Sequence, residues 1–120
     1  MMTVTTSTKR QTVVWKDKYG NSYSYSIFPL PVSLNPGQAG NYIFCKLVNQ
    51  TWVPIYIGQG DLKERTSNSH KKNCIVSKGA THVHCHLNNS EASRLLEESN
   101  LLATFPQAYA PTGCNERTGG

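Results

Sequence analysis

The residues between Gly40 and Arg65 constrain the fold most, because two alternating segments in this stretch are followed directly by a helix start. Aliphatic or small side chains alternate there with aromatic and polar ones, which is typical of β-strands that bury one face. We expect the aliphatic and small set to face the core: Ile43, Cys45, Leu47, Val53, Ile55 and Ile57. If the two segments pair as an antiparallel hairpin, Tyr42 and Tyr56 lie together on the opposite face.

A helix is predicted to begin directly after the second strand. A glycine-rich turn at 58–60 precedes Asp61, and Asp61 with Glu64 has the spacing of a capping box. Arg65 then lies just past the first turn of this helix. The stretch therefore delivers two phenols and one guanidinium to one end of a small sheet.

Length, charge and composition limit the expected number of domains, the type of binding partner and the cellular compartment. A length of 120 residues suits one domain. The net charge of +5 favours a polyanionic partner, chiefly nucleic acid, although many small soluble proteins are also mildly basic. No apolar run approaches the length of a membrane span, and the N-terminus is polar rather than a signal peptide. We therefore expect a cytoplasmic protein without a membrane partner, in which the four cysteines are free thiols: Cys45, Cys74, Cys85 and Cys114.

Another β-hairpin is predicted nearer the N-terminus, after a polar tail at residues 1–11 that we expect to be frayed. Trp15 lies on one arm and Tyr25 on the other, with the turn at 19–21. The aromatic side chains of this hairpin either pack in a core or dimer interface, or stack on bases. Because a proline-rich connector follows, we divide the chain into an N-terminal segment, 1–37, and a domain, 38–120.

Residues 80–87 predict a third strand of the domain. Two sets of side chains alternate along it, an apolar set expected in the core and a histidine set expected on the other face: Val83, Cys85 and Leu87, then His82, His84 and His86. One histidine is expected to contact phosphate or water, and the other two to be exposed. The alternative is a zinc site that uses Cys74 with these histidines, but the spacing does not fit a zinc finger.

The segment 91–105 predicts a helix, capped either by Asn88 with Glu91 or by Ser90. Its apolar periodicity places five residues in a buried stripe: Ala92, Leu95, Leu96, Ser99 and Leu102. On a helical wheel Glu98 flanks this stripe, whereas Glu97 points away from it and is expected in solvent.

The order of these elements resembles the GIY-YIG nuclease domain. The resemblance is carried by GNYIF at 40–44, YIG at 56–58, Arg65, the helix with an acidic residue and PTGCN ending in Asn115. It covers about residues 36–116, and the ordered set is far more specific than a lone YIG. The implied fold is α+β: a three-stranded antiparallel sheet flanked by helices, here with an extra N-terminal β-hairpin.

The same resemblance implies a metal-dependent endonuclease that hydrolyses phosphodiester bonds, with DNA as the expected nucleic acid. It implies Glu98 as the ligand of Mg²⁺ or Mn²⁺ and Arg65 as the group that holds the scissile phosphate. Tyr42 is the implied base, which requires a pKa well below the ordinary tyrosine value of about 10. Tyr56 positions water or phosphate, and Asn115 ties the last segment to the site.

Five further basic residues complete the predicted site. The family usually has a His or Tyr one turn beyond its arginine, a position held here by Ser69. His70, one residue later, reaches the site only if the helix is distorted or ends early. Four lysines are expected to contact phosphates, with a solvated surface as the alternative: Lys46, Lys63, Lys71 and Lys72.

Two other functions stay open from the sequence. The first is a nucleic-acid-binding module on the same fold that has lost its chemistry, and the second is an unrelated basic protein held by zinc. No separate DNA-reading segment is evident, so either specificity comes from the hairpin, a partner protein or a homodimer, or cleavage is not specific at all.

Overall fold

The computed structural model describes residues 11–117, which form an α+β structure with one five-stranded antiparallel sheet and three helices. Part of the predicted frayed tail, residues 1–10, lies outside the described residues. In chain order the elements are β1 Thr12–Lys16, β2 Ser22–Pro29, β3 Ala39–Val48, β4 Thr51–Asp61, α1 Leu62–Ser67, α2 Lys72–Ser77, β5 His82–Leu87 and α3 Glu91–Thr104. The strand order β1-β2-β5-β3-β4 leaves β1 and β4 at the two edges.

The N-terminal hairpin forms as predicted and continues the sheet, because β2 pairs with β5. Its turn is organised by Asp17, whose carboxylate accepts hydrogen bonds from the backbone amides of Tyr19 and Asn21. Trp15 and Tyr25 are buried in the core. Of the two predicted roles for these aromatic residues, core packing is therefore the one that the structure shows. The boundary predicted after residue 37 stays a prediction.

A β-bulge in β4 changes the predicted faces of the central hairpin. Phe44 pairs with Tyr56 but Cys45 pairs with Pro54, so Ile55 is an extra residue on β4. An extra residue breaks the alternation, and Ile55 consequently packs on the Tyr42 face. The prediction that Ile55 shares the face of Ile57 is wrong.

Both faces of the sheet are covered, so the face of Tyr42, opposite the predicted core face, holds a core of its own. The face under α1 and α2 buries eight residues: Tyr42, Phe44, Ile55, Leu62, Ile75, Val83, Cys85 and Cys114. The face under α3 buries seven more: Trp15, Tyr25, Ile43, Cys45, Ile57, Leu101 and Ala108. Leu47, predicted in the core, is instead 51% exposed near the end of its strand.

The expectation of four free thiols is wrong for two of them. Cys74 and Cys114 form a disulfide that joins α2 to the C-terminal segment, which also removes Cys74 from the zinc alternative. Cys45 and Cys85 are buried and take no part in the disulfide, as predicted for small core residues. None of the helices within residues 11–117 is both long and apolar enough to cross a membrane.

The histidines of β5 are not exposed as predicted. His84 is fully buried and its Nδ1 accepts a hydrogen bond from Trp15 Nε1 at 3.0 Å. Burial lowers the pKa of His84 to about 4, and the electrostatic influence of the neighbouring His82 acts in the same direction. His86 is half-buried against α3, whereas Leu87, predicted in the core, is 60% exposed. The hairpin and α3 together cover the face that the sequence assigned to solvent.

Helix α3 is rotated relative to its predicted orientation. Leu95 and Leu96 of the predicted stripe are 46% and 62% exposed, whereas Glu97 and Leu101 are buried. The rotation places the Glu97 carboxylate against polar partners on the sheet, described below. Ser90 caps the helix by accepting a hydrogen bond from the Ser93 amide.

Candidate active site

Tyr42 occupies its place because its neighbour on β4 is a glycine. Tyr42 pairs with Gly58 across the two strands, and a β-carbon on Gly58 would collide with the Tyr42 hydroxyl. The glycine of the YIG motif therefore admits the Tyr42 ring, which is buried and 6.2 Å from the Tyr56 ring between centroids.

Arg65 is positioned by a second glycine and by the helix start. Gly60 has φ +140°, and a β-carbon there would lie 2.8 Å from Arg65 Nε. Asp61 caps α1 as predicted, accepting a hydrogen bond from the Glu64 amide at 2.9 Å. The exposed guanidinium of Arg65 consequently lies over Gly60 at the end of β4, beside Tyr42. The prediction of a turn at 58–60 is wrong, because these residues pair with β3 and continue β4 up to Asp61.

His70 reaches the tyrosines because α1 ends early. The helix stops at Ser67, with Asn68 as its C-cap, and His70 lies in the connection to α2. Its ring is 6.3 Å from the Tyr56 ring in an edge-to-face arrangement. His70 was predicted to reach the site only if the helix is distorted or ends early, and the early end of α1 meets this condition.

Two adjoining cavities share His70. The first cavity, about 280 Å³, is lined by Tyr42, Glu64, Arg65, Asn68, Ser69 and His70. The second cavity, about 450 Å³, lies at the edge of β4 and brings in α3 and the C-terminal segment. Its lining comprises Tyr56, His70, Lys71, Glu98, Ser99, Leu102, Tyr109, Asn115 and Glu116.

Glu98 and Glu97 face different surroundings. The Glu98 carboxylate lines the second cavity, and within residues 11–117 it makes no hydrogen bond or ion pair. Burial raises the pKa of Glu98, and the positive charge of Arg65 acts in the opposite direction. Glu97 is 3% exposed and accepts hydrogen bonds from the Tyr25 hydroxyl at 2.5 Å and from His86 Nδ1 at 3.0 Å. The expectation that Glu97 is solvated is wrong, because those partners hold it against the sheet.

Asn115 connects the C-terminal segment to the edge of β4. Its side-chain oxygen accepts from the Ile57 amide and its nitrogen donates to the Ile57 carbonyl, both at 2.9 Å. The Cys114 amide donates to the Ile55 carbonyl at 2.8 Å. Asn115 thus supplies the hydrogen bonds of a missing neighbouring strand and fixes the segment beside Tyr56.

Of the four predicted phosphate-contacting lysines, one lines the second cavity. Lys71 does so and forms an ion pair with Glu116, while Lys72 is exposed outside both cavities. Lys46 donates to the Lys78 carbonyl, and Lys63 donates to the Leu34 carbonyl. The structure therefore places Lys46, Lys63 and Lys72 outside the two cavities.

The electrostatics of the tyrosines oppose ionisation. Burial is the largest influence that raises the pKa of Tyr42, and Tyr56 and Glu98 act in the same direction. Arg65 lowers the pKa of Tyr42 but does not outweigh them. The pKa of Tyr56 is also raised, chiefly by burial, against the positive charges of Lys71 and Arg65.

Sequence reasoning missed Tyr109 and Glu116 among the lining residues of the second cavity, and it assigned Ser99 and Leu102 only to the buried stripe of α3. Glu116 directly follows Asn115, and this adjacency is the only signal that could have indicated it. Comparisons of the chain with protein-family models, with curated proteins and with solved structures find no match.

Proposed function

We propose that this chain is a metal-dependent endonuclease of the GIY-YIG type that hydrolyses phosphodiester bonds of nucleic acid, with DNA as the expected substrate. The observation that carries the proposal is the convergence of five side chains from β3, β4, α1, the connection to α2, and α3 on two adjoining cavities: Tyr42, Tyr56, Arg65, His70 and Glu98. Phosphoryl transfer requires cationic groups beside the phosphate and a group that activates water, and this set supplies candidates for both.

Glu98 is the proposed ligand of the divalent cation. Its carboxylate is half-buried, its pKa is raised by burial, and no hydrogen bond from residues 11–117 compensates its negative charge. A cation beside it would offset the desolvation. Mg²⁺ and Mn²⁺ favour oxygen ligands, and Mg²⁺ commonly keeps several waters with one or two carboxylates. When bound, such an ion withdraws negative charge from phosphoryl oxygens.

Arg65 is the proposed phosphate-binding residue. Its guanidinium is exposed at the first cavity, and Gly60 and the capped start of α1 limit its position. The planar fork of arginine can donate two parallel hydrogen bonds to phosphate oxygens. His70, on the boundary of the two cavities, supplies a further donor.

Tyr42 is the proposed acceptor of the water proton, and Tyr56 orients the water. This role requires a lower pKa than burial gives Tyr42, and Arg65 acts in that direction through its charge and a hydrogen bond. Neutralising the charge of Glu98 would remove one of the influences that raise the pKa. The raised pKa of Tyr42 is also the observation that favours the alternative, a nucleic-acid-binding module on the same fold without cleavage.

The compartment is a separate question. Disulfides persist in oxidising compartments, so the bond between Cys74 and Cys114 does not support the cytoplasmic setting expected from composition.

Cleavage of nucleic acid tests the proposal and separates it from the alternative. Supercoiled plasmid, single-stranded DNA and RNA are incubated with the purified chain over a titration of Mg²⁺ and Mn²⁺, with a chelator as control. We expect metal-dependent nicking of the plasmid. Binding of the plasmid without nicking at any metal concentration would instead support the binding module.

A further inference from the structure

Lys71 and Glu116 form an ion pair at the second cavity, with Nζ and Oε2 2.5 Å apart. The Lys71 side chain is only 18% exposed, whereas that of Glu116 is 74% exposed. The hydrogen bond from Lys71, together with its positive charge, lowers the pKa of Glu116. Glu116 is therefore an ionised carboxylate on the solvent side of Lys71, whose ammonium group belongs to the wall of the second cavity.

The backbone on both sides of Glu116 is held in place. Asn115 is hydrogen-bonded to Ile57, and Cys114 is cross-linked to Cys74. The guanidinium of Arg117 lies 4.0 Å from the ring centroid of Tyr109. An anchored backbone thus presents the Glu116 carboxylate to Lys71, while the exposed side chain is free to rotate into solvent without loss of these anchors.

The ammonium of Lys71 is the type of group that binds a nucleic-acid phosphate. In the structure this ammonium is already paired with the Glu116 carboxylate. Carboxylate and phosphate oxygens both accept charge-assisted hydrogen bonds from an ammonium. Two carboxylates, Glu98 and Glu116, line the same cavity. Glu98 has no hydrogen-bonding partner within residues 11–117, whereas Glu116 neutralises the cation that an incoming phosphate needs.

We propose that Lys71 is a phosphate subsite for the nucleic-acid backbone and that Glu116 is an intramolecular competitor for it. A substrate phosphate displaces the Glu116 carboxylate from the Lys71 ammonium, and the carboxylate turns into solvent. Glu116 therefore weakens binding of nucleic acid and restricts it to ligands whose phosphate can replace the ion pair. This inference rests on the proposed function, since it concerns the same cavity.

Binding of a short fluorescein-labelled DNA duplex without divalent metal, at fixed low ionic strength, tests the inference. Glu116→Gln should bind the duplex about three- to tenfold more tightly, because the competing charge is lost and Lys71 is released. Glu91→Gln is the matched control: it removes the same charge from an exposed position on α3 that lines neither cavity. This control should stay within about twofold of the unchanged chain, as expected for a distant exposed charge that is screened.

The decisive comparison uses the double variant Lys71→Gln/Glu116→Gln. In a Lys71→Gln background the gain from Glu116→Gln should disappear, because the subsite itself is absent. An equal gain with and without Lys71, or no gain beyond that of Glu91→Gln, would overturn the inference. Circular dichroism checks that each variant is folded, and the ion pair should contribute little to stability because its Glu116 side is exposed.

Plasmid nicking separates this inference from the proposed function. If the unchanged chain does not cleave but Glu116→Gln gains affinity only when Lys71 is present, the nuclease proposal fails and the phosphate subsite stands. If the chain cleaves and Glu116→Gln changes neither affinity nor KM, the nuclease stands and the competitor role is refuted.

Discussion

The Tyr25 hydroxyl donates a hydrogen bond of 2.5 Å to the Glu97 carboxylate, and both side chains are buried between the sheet and α3. His86 Nδ1 lies 3.0 Å from the same carboxylate. Burial raises the pKa of Tyr25, and the charge of Glu97 and its hydrogen bond add to the effect, so the phenol remains a donor. This contact, between residues 72 positions apart, fixes which face of α3 meets the sheet.

Glu97→Gln should therefore destabilise the fold. The amide replaces a charged acceptor, and part of the Tyr25 and His86 hydrogen bonding is lost in a buried setting. We expect the free energy of unfolding to fall by about 1–3 kcal/mol. Urea unfolding measures this loss, with Glu91→Gln as a control that should change stability by at most about 0.5 kcal/mol. A Glu97→Gln variant as stable as the control would contradict the buried network.

Loss of the disulfide should also lower stability. The bond joins residues 40 positions apart, and closing a loop of that size typically stabilises a protein by about 2–4 kcal/mol. The Cys74→Ala/Cys114→Ala variant should show this loss in urea unfolding. Dithiothreitol should destabilise the unchanged chain but not the variant. If dithiothreitol has the same effect on both, the cross-link is not the cause.

Acidification between pH 6.5 and 4 should expose the contribution of His84. Its folded pKa of about 4 lies below the ordinary value of about 6.5, so the folded state favours neutral imidazole. The stabilisation is therefore complete above about pH 6.5 and is lost as pH falls towards 4. The urea midpoint should fall less over this range in His84→Gln than in the unchanged chain. Equal pH dependence in the two proteins would show that His84 does not titrate in this way.

Arg65→Ala should abolish cleavage, and Arg65→Lys should recover little of it. A lysine keeps the charge but not the planar fork that matches paired phosphate oxygens. The expected loss is about 3 kcal/mol or more of transition-state stabilisation, measured as kcat/KM in plasmid nicking. Arg65 is exposed, so folding should be unchanged in both variants. Near-normal turnover by the lysine variant would contradict the proposed role.

Local sequence signals predicted the elements well. Alternation located the strands of both hairpins, and the Asp61 cap located the start of α1, because strand pattern and capping depend on near neighbours. The meeting of Tyr42, Tyr56 and Arg65 at one end of the sheet was likewise expected, although residues 58–60, predicted as a turn, continue β4 up to the start of α1. The predictions that were wrong concern features that depend on residues far away in the sequence.

Three errors have this common physical origin. The face of Ile55 depends on a bulge in the pairing with β3, which the sequence of β4 does not reveal. The orientation of α3 depends on the hydrogen bonds of Glu97 with Tyr25 and His86. The helical wheel instead placed Leu95 and Leu96 on the buried face, and both are exposed. The disulfide depends on the C-terminal segment returning to α2, whereas composition argued for free thiols.

The most direct test of the central claim is the plasmid-nicking rate of Glu98→Gln at saturating Mg²⁺, compared with the unchanged chain and with Glu91→Gln. Glu98 lines the second cavity, and the amide keeps its shape while removing the charge that would hold the ion. We predict that the unchanged chain and Glu91→Gln cleave at similar rates. Glu98→Gln should stay folded and bind DNA but cleave at least about a hundredfold more slowly. Cleavage by Glu98→Gln at the unchanged rate would contradict the assignment of the metal site, and absence of cleavage by the unchanged chain would contradict the nuclease itself.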